Sequence, residues 1–288
     1  MLADTHIHMI LDGENWKHAI DAHRTQPDDE IIRRRLRRYR DLGVRFLRDG
    51  GDRWGVSARA ARLAPQYGID YRTPVFPIHK KGHYGGWIGR GFERAAEFTD
   101  LVRQVGQCGG DFVKLMVSDI MDFGRFGALC GQSLRREEIA ELVRICHDAG
   151  FAVMAHCNGA EACRDAVLAG VDSLEHGGYL DEDAAHALAE SETVWVPTLS
   201  TVGNLIGSGR YPDDVLRRLL THQTQMVSMV YRLGGSIALG SDAGAYRVRH
   251  GSAIEDELRC LTQAIDANDL MPHLQCSEEK VKQRFCRK

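Results

Sequence analysis

Eight short apolar runs, each followed by a longer amphipathic segment, constrain the fold of this 288-residue chain more than any other feature. Most of the runs are continuously apolar, which is typical of parallel strands that are covered by helices. Such a regular alternation of strand and helix predicts either a closed parallel barrel or a doubly wound sheet. The runs span residues 1–8, 44–48, 71–78, 112–117, 152–156, 173–176, 194–199 and 236–241.

The segments between these runs repeat apolar residues at helical spacing. Segment 133–150 has the clearest ends, because Ser133 can cap its start and Gly150 suits the left-handed residue that follows a helix. Eight such units fill residues 1–266 and leave no room for a second domain, so an α/β fold of the (β/α)8 TIM-barrel type is predicted there. Residues 267–288 lack a strong period and are predicted to form a short C-terminal helix and a tail.

Charge and hydropathy exclude several classes of protein. The 37 basic and 40 acidic residues leave a net charge of −3, which offers no bulk attraction to nucleic acid or to an anionic membrane. No run approaches the roughly 20 apolar residues that span a bilayer, and no secretory signal is recognisable. The eight cysteines include no CxxC pair and are predicted to be reduced. We therefore expect a soluble, cytoplasmic protein whose partner is a small molecule.

Side chains that can bind metals or move protons lie at the ends of the predicted strands. In the first run, His6 and His8 share one face, because side chains along a strand alternate between faces. The carboxyl ends of barrel strands meet at one face of the barrel, where active sites lie. The other residues of this kind are Lys114 in the fourth run, His156 and His176 at the ends of the fifth and sixth, and Asp242 after the eighth.

Each of these residues alone has an ordinary interpretation, such as a packed histidine, a paired lysine or an aspartate in a turn. Together, four imidazoles, an aspartate and a lysine would be costly to bury without partners. A metal centre removes that cost. Imidazole and carboxylate ligands suit zinc, while manganese, iron, cobalt and nickel remain open.

Lys114 requires a separate chemical explanation, because a protonated ammonium is strongly unfavourable beside divalent cations. A neutral amine can add carbon dioxide to give a carbamate, N6-carboxylysine, whose two oxygens bridge two cations. The predicted ligands are His6, His8 and Asp242 for an inner ion, His156 and His176 for an outer ion, and carboxylated Lys114 as the bridge between them.

This ligand set resembles that of the binuclear, metal-dependent type of the amidohydrolase superfamily. The strings DTHIH, FVKLM, VMAHCNGAEACRDAVLAGVDSLEHG, VPTLS and ALGSDAG are similar to its imidazolonepropionase- and prolidase-like branch, across roughly residues 2–262. The resemblance implies a barrel that holds two divalent metal ions, with Zn²⁺ favoured, and a homo-oligomer is a family-level expectation.

The resemblance also implies a mechanism. Two metal ions lower the pKa of a bridging water, and the resulting hydroxide attacks a carbonyl that the outer ion polarises. Asp242 is expected to be the catalytic residue that takes the proton and passes it to the leaving nitrogen. Asp4 has two open interpretations, as a residue that orients the ligands or as a polar plug in the barrel.

Two departures from the family pattern bear on this prediction. Family members usually carry a small β-sandwich built from segments on both sides of the barrel, and this sequence is expected to lack it. Deaminases of the superfamily place a glutamate shortly after the histidine of the fifth strand. Here His156 is followed by Cys157, Asn158 and Gly159, which argues against a mononuclear deaminase.

The substrate is the least constrained part of the prediction. His83, Tyr84, Asn158 and Tyr179 follow predicted strands and are candidate substrate-binding residues, although an ordinary solvated glycine-rich loop also explains the first two. The leading prediction is hydrolysis of an amide, peptide or cyclic amide bond, with a prolidase-like dipeptidase as one form. The alternatives are an ester, lactone or organophosphate hydrolase on the same centre, or a catalytically silent metal-binding barrel.

Overall fold

A computed structural model describes residues 2–286 as a ring of parallel strands surrounded by helices. The strands are β1 (Leu2–Ile7), β2 (Val44–Asp49), β3 (Asp70–Arg72), β4 (Pro77–Lys80), β5 (Arg90–Phe92), β6 (Val113–Met116), β7 (Val153–Cys157), β8 (Ser173–His176), β9 (Val194–Val196) and β10 (Ser236–Ile237). The helices are α1 (Trp16–Asp21), α2 (Asp29–Asp41), α3 (Val56–Leu63), α4 (Ala95–Gln107), α5 (Arg136–Asp148), α6 (Ala160–Leu168), α7 (Glu182–Ala189), α8 (Ser200–Gly203), α9 (Asp213–Arg232), α10 (Ala253–Leu261) and α11 (Ala267–Arg284), with a 3₁₀ turn at Ala64–Tyr67.

The strands form two parallel sheets, in the orders β1-β2-β3 and β10-β9-β8-β7-β6-β4-β5. The predicted third strand joins them, because its first half, β3, pairs with β2 and its second half, β4, pairs with β6. On the opposite side, the backbone N–H of Thr5 donates to Leu239 O at 2.9 Å, and that of Asp242 donates to His6 O at 2.7 Å. These bonds join the chain after β10 to β1, and the predicted α/β barrel is confirmed as the fold class.

The interruption of the third strand has a local cause. Pro74 and Pro77 carry no N–H for a strand ladder, and Val75 between them has a left-handed φ of 65°. The backbone N–H of Thr73 donates instead to the Asp111 carboxylate at 2.9 Å. The short strand β5 pairs with β4 at the edge of the larger sheet.

The helices bury apolar stripes against the ring, as α5 illustrates. Its residues Ile139, Leu142, Val143 and Cys146 are buried at helical spacing. Its start differs from the prediction, because the N-cap residue is Arg135 rather than Ser133. The Glu138 carboxylate accepts the backbone N–H of Arg135 at 3.2 Å, which is half of a capping box.

The C-terminal segment covers the end of the barrel opposite the predicted ligands. It contains an 18-residue helix, α11, which is longer than the short helix predicted from the sequence pattern. Phe285 follows this helix and is fully buried, with its ring 5.2 Å from the ring of Phe112 in an edge-to-face contact. Within residues 2–286 the cysteines are free, as the sequence predicted. No helix in this part of the chain is long and apolar enough to cross a bilayer.

Candidate metal centre

The first group of predicted ligands lies where β1 meets the chain that follows β10. Nε2 of His8 lies 3.3 Å from Oδ1 of Asp242, and Nε2 of His6 lies 3.6 Å from the same oxygen. One candidate ligand atom from each residue falls within 4.8 Å of the others. Two imidazoles and a carboxylate at this separation have the chemistry and spacing of a site for a divalent cation.

The other two predicted histidines complete a continuous imidazole cluster. The ring centroids of His156 and His176 are 4.6 Å apart, and those of His6 and His176 are 5.0 Å apart. Strand pairing explains this arrangement, since β7 and β8 are neighbours and both histidines lie near the carboxyl ends of their strands. The structure therefore brings together the four histidines that the sequence predicted to converge.

Lys114 lies inside the barrel on β6, and its side chain also reaches the cleft above the histidines. Its Nζ is buried and forms no hydrogen bond with any described residue. Burial lowers the pKa of Lys114 to about 8, which makes the neutral amine accessible near neutral pH. An amine that loses its proton more readily than an ordinary lysine, and that forms no hydrogen bond with residues 2–286, is compatible with the carbamate that the sequence predicted.

Several buried polar atoms of the cluster form no hydrogen bond with any residue from 2 to 286. They are Nε2 of His6, Nδ1 of His8, Nζ of Lys114 and Oδ1 of Asp242. Unsatisfied buried groups are unusual in folded proteins, and they are costly unless a ligand or an ion satisfies them. The described residues thus fit a metal centre at this position.

Burial favours the uncharged forms of the histidines. It lowers the pKa of His8 and that of His156 to about 3, so both imidazoles are neutral at pH 7. Neutral imidazole is the form that binds a metal ion. Burial raises the pKa of Asp242 to about 8, because this carboxylate is enclosed with little compensation from hydrogen bonds.

The backbone is strained where the ligands leave their strands. His176, Thr198 and Asp242 have left-handed φ angles of 69°, 49° and 57°. Such angles are rare outside glycine, and for a β-branched residue such as Thr198 they are genuine outliers. The strain coincides with a side-chain contact, since Oγ1 of Thr198 lies 2.8 Å from Nδ1 of His176. Strained positions of this kind gather at functional sites, where surrounding contacts impose the conformation.

Glu175 is a functional candidate that the sequence analysis missed. Its Oε2 lies 2.7 Å from Nδ1 of His6, and its side chain is fully buried. A glutamate within the apolar run that ends in His176 was a visible signal.

Asp4 does not contact the imidazoles through its side chain. Its carboxylate accepts the backbone N–H of Ser241 at 2.8 Å and the hydroxyl of Ser241 at 2.6 Å. Burial raises the pKa of Asp4 to about 7. Asp4 therefore anchors Ser241, the residue that precedes Asp242. It contacts the predicted ligand His6 only at the backbone, whose N–H lies 3.5 Å from Oδ1 of Asp4.

A cleft of about 770 Å³ opens above the cluster. Among the predicted substrate-binding residues, Tyr84 and Asn158 line it. The ring of Tyr84 lies 4.9 Å from the ring of His156, and the Asn158 carboxamide accepts the backbone N–H of Gly178 at 3.0 Å. The predicted ligands that line the cleft are His8, Lys114, His156, His176 and Asp242.

The other two predicted substrate-binding residues lie outside the lining of this cleft. The ring of Tyr179 packs edge-to-face on Phe126 at 5.3 Å, in an apolar cluster beside the cleft. His83 lies in a turn closed by its backbone N–H, which donates to Lys80 O at 3.0 Å. Loop conformation, which strand patterning does not determine, accounts for both placements.

The rim of the cleft is aromatic and carries two cations. Trp16 and Trp87 pack with ring centroids 5.4 Å apart. The Arg210 guanidinium lies 4.6 Å from the ring of Tyr246 and 5.4 Å from that of Tyr211. The remaining charged rim residues are Lys17, whose ammonium lies 5.5 Å from the Trp16 ring, and Glu14, which forms an ion pair with Arg249 at 3.0 Å.

Comparison with known sequences finds relatives of unknown activity. No family model matches the chain. Uncharacterized proteins of Mycobacterium tuberculosis and Mycobacterium bovis are 28% identical over 275 residues, which covers 90% of this chain and 67% of each relative. The similarity to these relatives covers most of the chain, and their names state no activity.

Comparison with solved structures identifies the class of fold. A Xaa-Pro dipeptidase with bound methionine matches with a TM-score of 0.77 and 21% identity, covering 98% of this chain and 74% of its own. An amidohydrolase matches with a TM-score of 0.74 and 20% identity, and the match covers 99% of this chain and 76% of the amidohydrolase. Ochratoxinase of A. niger matches with a TM-score of 0.74 and 18% identity, and the match covers 91% of this chain and 66% of ochratoxinase. The chain therefore has the barrel fold of amidohydrolase-type hydrolases, and the resemblance found in the sequence is confirmed at the level of fold.

Proposed function

We propose that this protein is a binuclear metal-dependent hydrolase of the amidohydrolase superfamily. It would cleave an amide, peptide or cyclic amide bond of a small molecule, and a prolidase-like dipeptidase is the first form to test. The observation that carries the proposal is the convergence of four buried imidazoles, Asp242 and a partnerless Lys114 at the floor of one cleft. The dipeptidase among the structural neighbours supports the choice of substrate.

The ligands divide as the sequence suggests. His6, His8 and Asp242 would hold the inner ion, and His156 and His176 would hold the outer ion. The neutral amine of Lys114 would add carbon dioxide, forming an N–C bond and releasing a proton, and the carbamate oxygens would complete both sites. When bound, two divalent ions lower the pKa of a shared water and polarise the scissile carbonyl.

The side chains around the centre would supply proton transfer and orientation. Asp242 lies beside His6 and His8 at the floor of the cleft, and as a carboxylate it would accept a proton there and return it to the leaving nitrogen. Tyr84 and Asn158 line the cleft on the side of His156 and would orient the substrate there.

The accessible cleft favours this proposal over a catalytically silent metal-binding barrel. Five of the six predicted ligands line a cavity large enough for a small substrate. A site that only stabilised the fold would be closed by protein ligands, whereas catalytic sites keep a position open to substrate.

Metal content per chain tests the proposal directly. Elemental analysis of the native protein and of Lys114→Ala, grown in the same medium, should give two metals for the former and one or fewer for the latter. Lys81→Ala is a matched control, since Lys81 is exposed and forms an ion pair with Glu93 at 3.2 Å, and this variant should keep two metals. One metal in both the native protein and Lys114→Ala, or none after reconstitution, would refute the binuclear centre.

The same preparations then separate the substrate classes. Metal-loaded protein should release amino acids from a panel of dipeptides, including those that end in proline, and should lose that activity in Lys114→Ala. A parallel panel of esters, lactones and phosphotriesters provides the contrast. Faster turnover of the second panel would reject amide hydrolysis while leaving the metal centre intact.

A further inference from the structure

Beneath the predicted ligands lies a fully buried charged pair that the proposed mechanism does not use. Nη2 of Arg48 lies 2.8 Å from Oε1 of Glu175, and both side chains are inaccessible to solvent. Removing two charges from water is expensive, and apolar residues of similar size often stabilise a fold as well or better. Stability alone therefore gives a weak reason for an ion pair inside this barrel.

The two carboxylate oxygens of Glu175 contact different residues. Oε1 accepts from Arg48 and from the hydroxyl of Ser173. Oε2 faces Nδ1 of His6 at 2.7 Å. An ionised carboxylate can only accept, so His6 must carry its proton on Nδ1. That tautomer leaves the lone pair on Nε2, the partnerless nitrogen beside Asp242.

Arg48 fixes this carboxylate to the strands around it. Its Nη1 donates to the hydroxyl of Ser173 at 2.7 Å, and its Nε donates to the backbone oxygen of Thr5 at 2.7 Å. Thr5 precedes His6 on β1, so the guanidinium holds both the histidine's backbone and the residue that orients its ring. On the opposite side, the guanidinium lies 4.3 Å from the ring of Phe285.

We infer that Glu175 and Arg48 are positioning residues for the metal ligand His6. Glu175 selects the tautomer and the ring orientation of His6, and Arg48 keeps the Glu175 carboxylate in place. The inference rests on the proposed function, because it supposes that His6 binds a metal ion. Carboxylates behind metal-ligating histidines characteristically raise the affinity for the metal and the basicity of the imidazole.

Glu175→Gln is the informative substitution, because it keeps the size of the side chain while it removes the negative charge opposite Arg48 and changes the hydrogen bonding to His6. If the glutamine oxygen accepts from Arg48, its NH₂ group faces His6 and cannot accept from Nδ1–H. His6 would then shift its proton to Nε2, the nitrogen needed for ligation. Ser173→Ala is a milder second variant, since it removes one of the two donors to Oε1 of Glu175.

Asp52→Asn serves as the matched control. Asp52 is a buried carboxylate that accepts the backbone N–H groups of Trp54, Val56 and Ser57 at 2.7–3.1 Å near the start of α3. It contacts none of the predicted ligands through these bonds. Both changes replace a buried carboxylate by an amide, and the Tm of each variant separates a loss of stability from an effect on the metal site.

The experiment measures Zn²⁺ affinity by competition with a chromogenic chelator, alongside the Tm of each metal-free protein. We expect Glu175→Gln to weaken Zn²⁺ binding by about 10–100-fold, which is typical for loss of such a partner. Ser173→Ala should weaken it less and in the same direction. Asp52→Asn should bind Zn²⁺ as the native protein does, even where its Tm falls as far as that of Glu175→Gln.

Co²⁺ substitution provides a readout that a merely structural role would not change. The visible absorption of bound Co²⁺ reports its ligands, and it should change in Glu175→Gln and remain native-like in Asp52→Asn. Native affinity in Glu175→Gln, or equal weakening in Asp52→Asn, would overturn the inference. If Glu175→Gln does not fold, native affinity in Ser173→Ala would overturn it. A native protein that binds no Zn²⁺ would instead refute the proposed function itself.

Discussion

The imidazole of His8 lies directly against the backbone of Gly50, at the end of β2. A Cβ atom built on Gly50 would lie 2.3 Å from Cε1 and 2.8 Å from Nδ1 of His8, far closer than real contacts. The backbone of Gly50 is not in the left-handed region, so the constraint comes from this close approach. Only glycine leaves the ring of this predicted ligand where the structure has it.

We therefore predict that Gly50→Ala displaces the ring of His8 and lowers the metal content from two ions to one or fewer. The measurement is elemental analysis together with Tm. Gly124→Ala is the control, since its nearest contact is the Asp122 carboxylate at 3.2 Å and it should retain both ions. Full metal content in Gly50→Ala would mean that His8 moves without consequence or is not a ligand.

At the same scale, the sequence predicted which ligand residues converge but not what surrounds them. Strand ends converge by the geometry of a barrel, so His6, His156 and His176 could be placed without coordinates. The contact between His6 and Glu175 depends on strand register and side-chain direction inside the barrel. Neither the register nor the side-chain direction is encoded by a local sequence pattern, so the contact of Glu175 with His6 could not be predicted from the sequence.

At the scale of elements, the sequence predicted the order of strands and helices better than their ends. The run at 236–241 is strand only over β10, although the chain after it still bonds to its neighbours, as where the N–H of Ala238 donates to Trp195 O at 2.9 Å. The short helices α1 and α8 were not predicted. Both belong to loops whose conformation depends on tertiary contacts, as with the Glu257 carboxylate that accepts the N–H of Ser200 at the start of α8.

The loop between α8 and α9 supplies a cation to the cleft. No described acidic residue forms an ion pair with Arg210, whose guanidinium lies over the ring of Tyr246. A guanidinium that stacks on an aromatic ring keeps the planar set of N–H donors that matches a carboxylate. If the proposed hydrolase activity holds, this loop contributes to the recognition of anionic substrates.

Arg210→Met should accordingly raise KM by about tenfold for a substrate with a carboxylate, as loss of one charge-assisted hydrogen bond predicts. The same substrate with a carboxamide in that position should be hardly affected, and kcat should stay near its native value. Arg217→Met, an exposed arginine on α9, provides the control. An equal rise in KM for both substrates would mean that Arg210 supports the loop and does not bind the carboxylate.

At the scale of the whole molecule, α11 closes the barrel at the end opposite the cleft. Its buried positions are Leu270, Leu274, Ser277, Glu278 and Val281. Polar residues at two of these positions interrupt the apolar stripe, and this explains why the sequence pattern faded after residue 266. The division between a barrel at 1–266 and a C-terminal segment remains a prediction, although the described part of that segment packs against β1, β9 and β10.

The contribution of this closure can be measured at Phe285, whose ring is buried between Phe112 and the guanidinium of Arg48. Phe285→Ala should lower the free energy of unfolding by about 3–5 kcal/mol, as for other phenylalanines removed from a core. Phe285→Leu keeps most of the apolar volume and should cost clearly less. Urea unfolding of both variants checks this. A loss within about 0.5 kcal/mol for Phe285→Ala, the usual range for surface substitutions, would mean that the segment behaves as a loose tail.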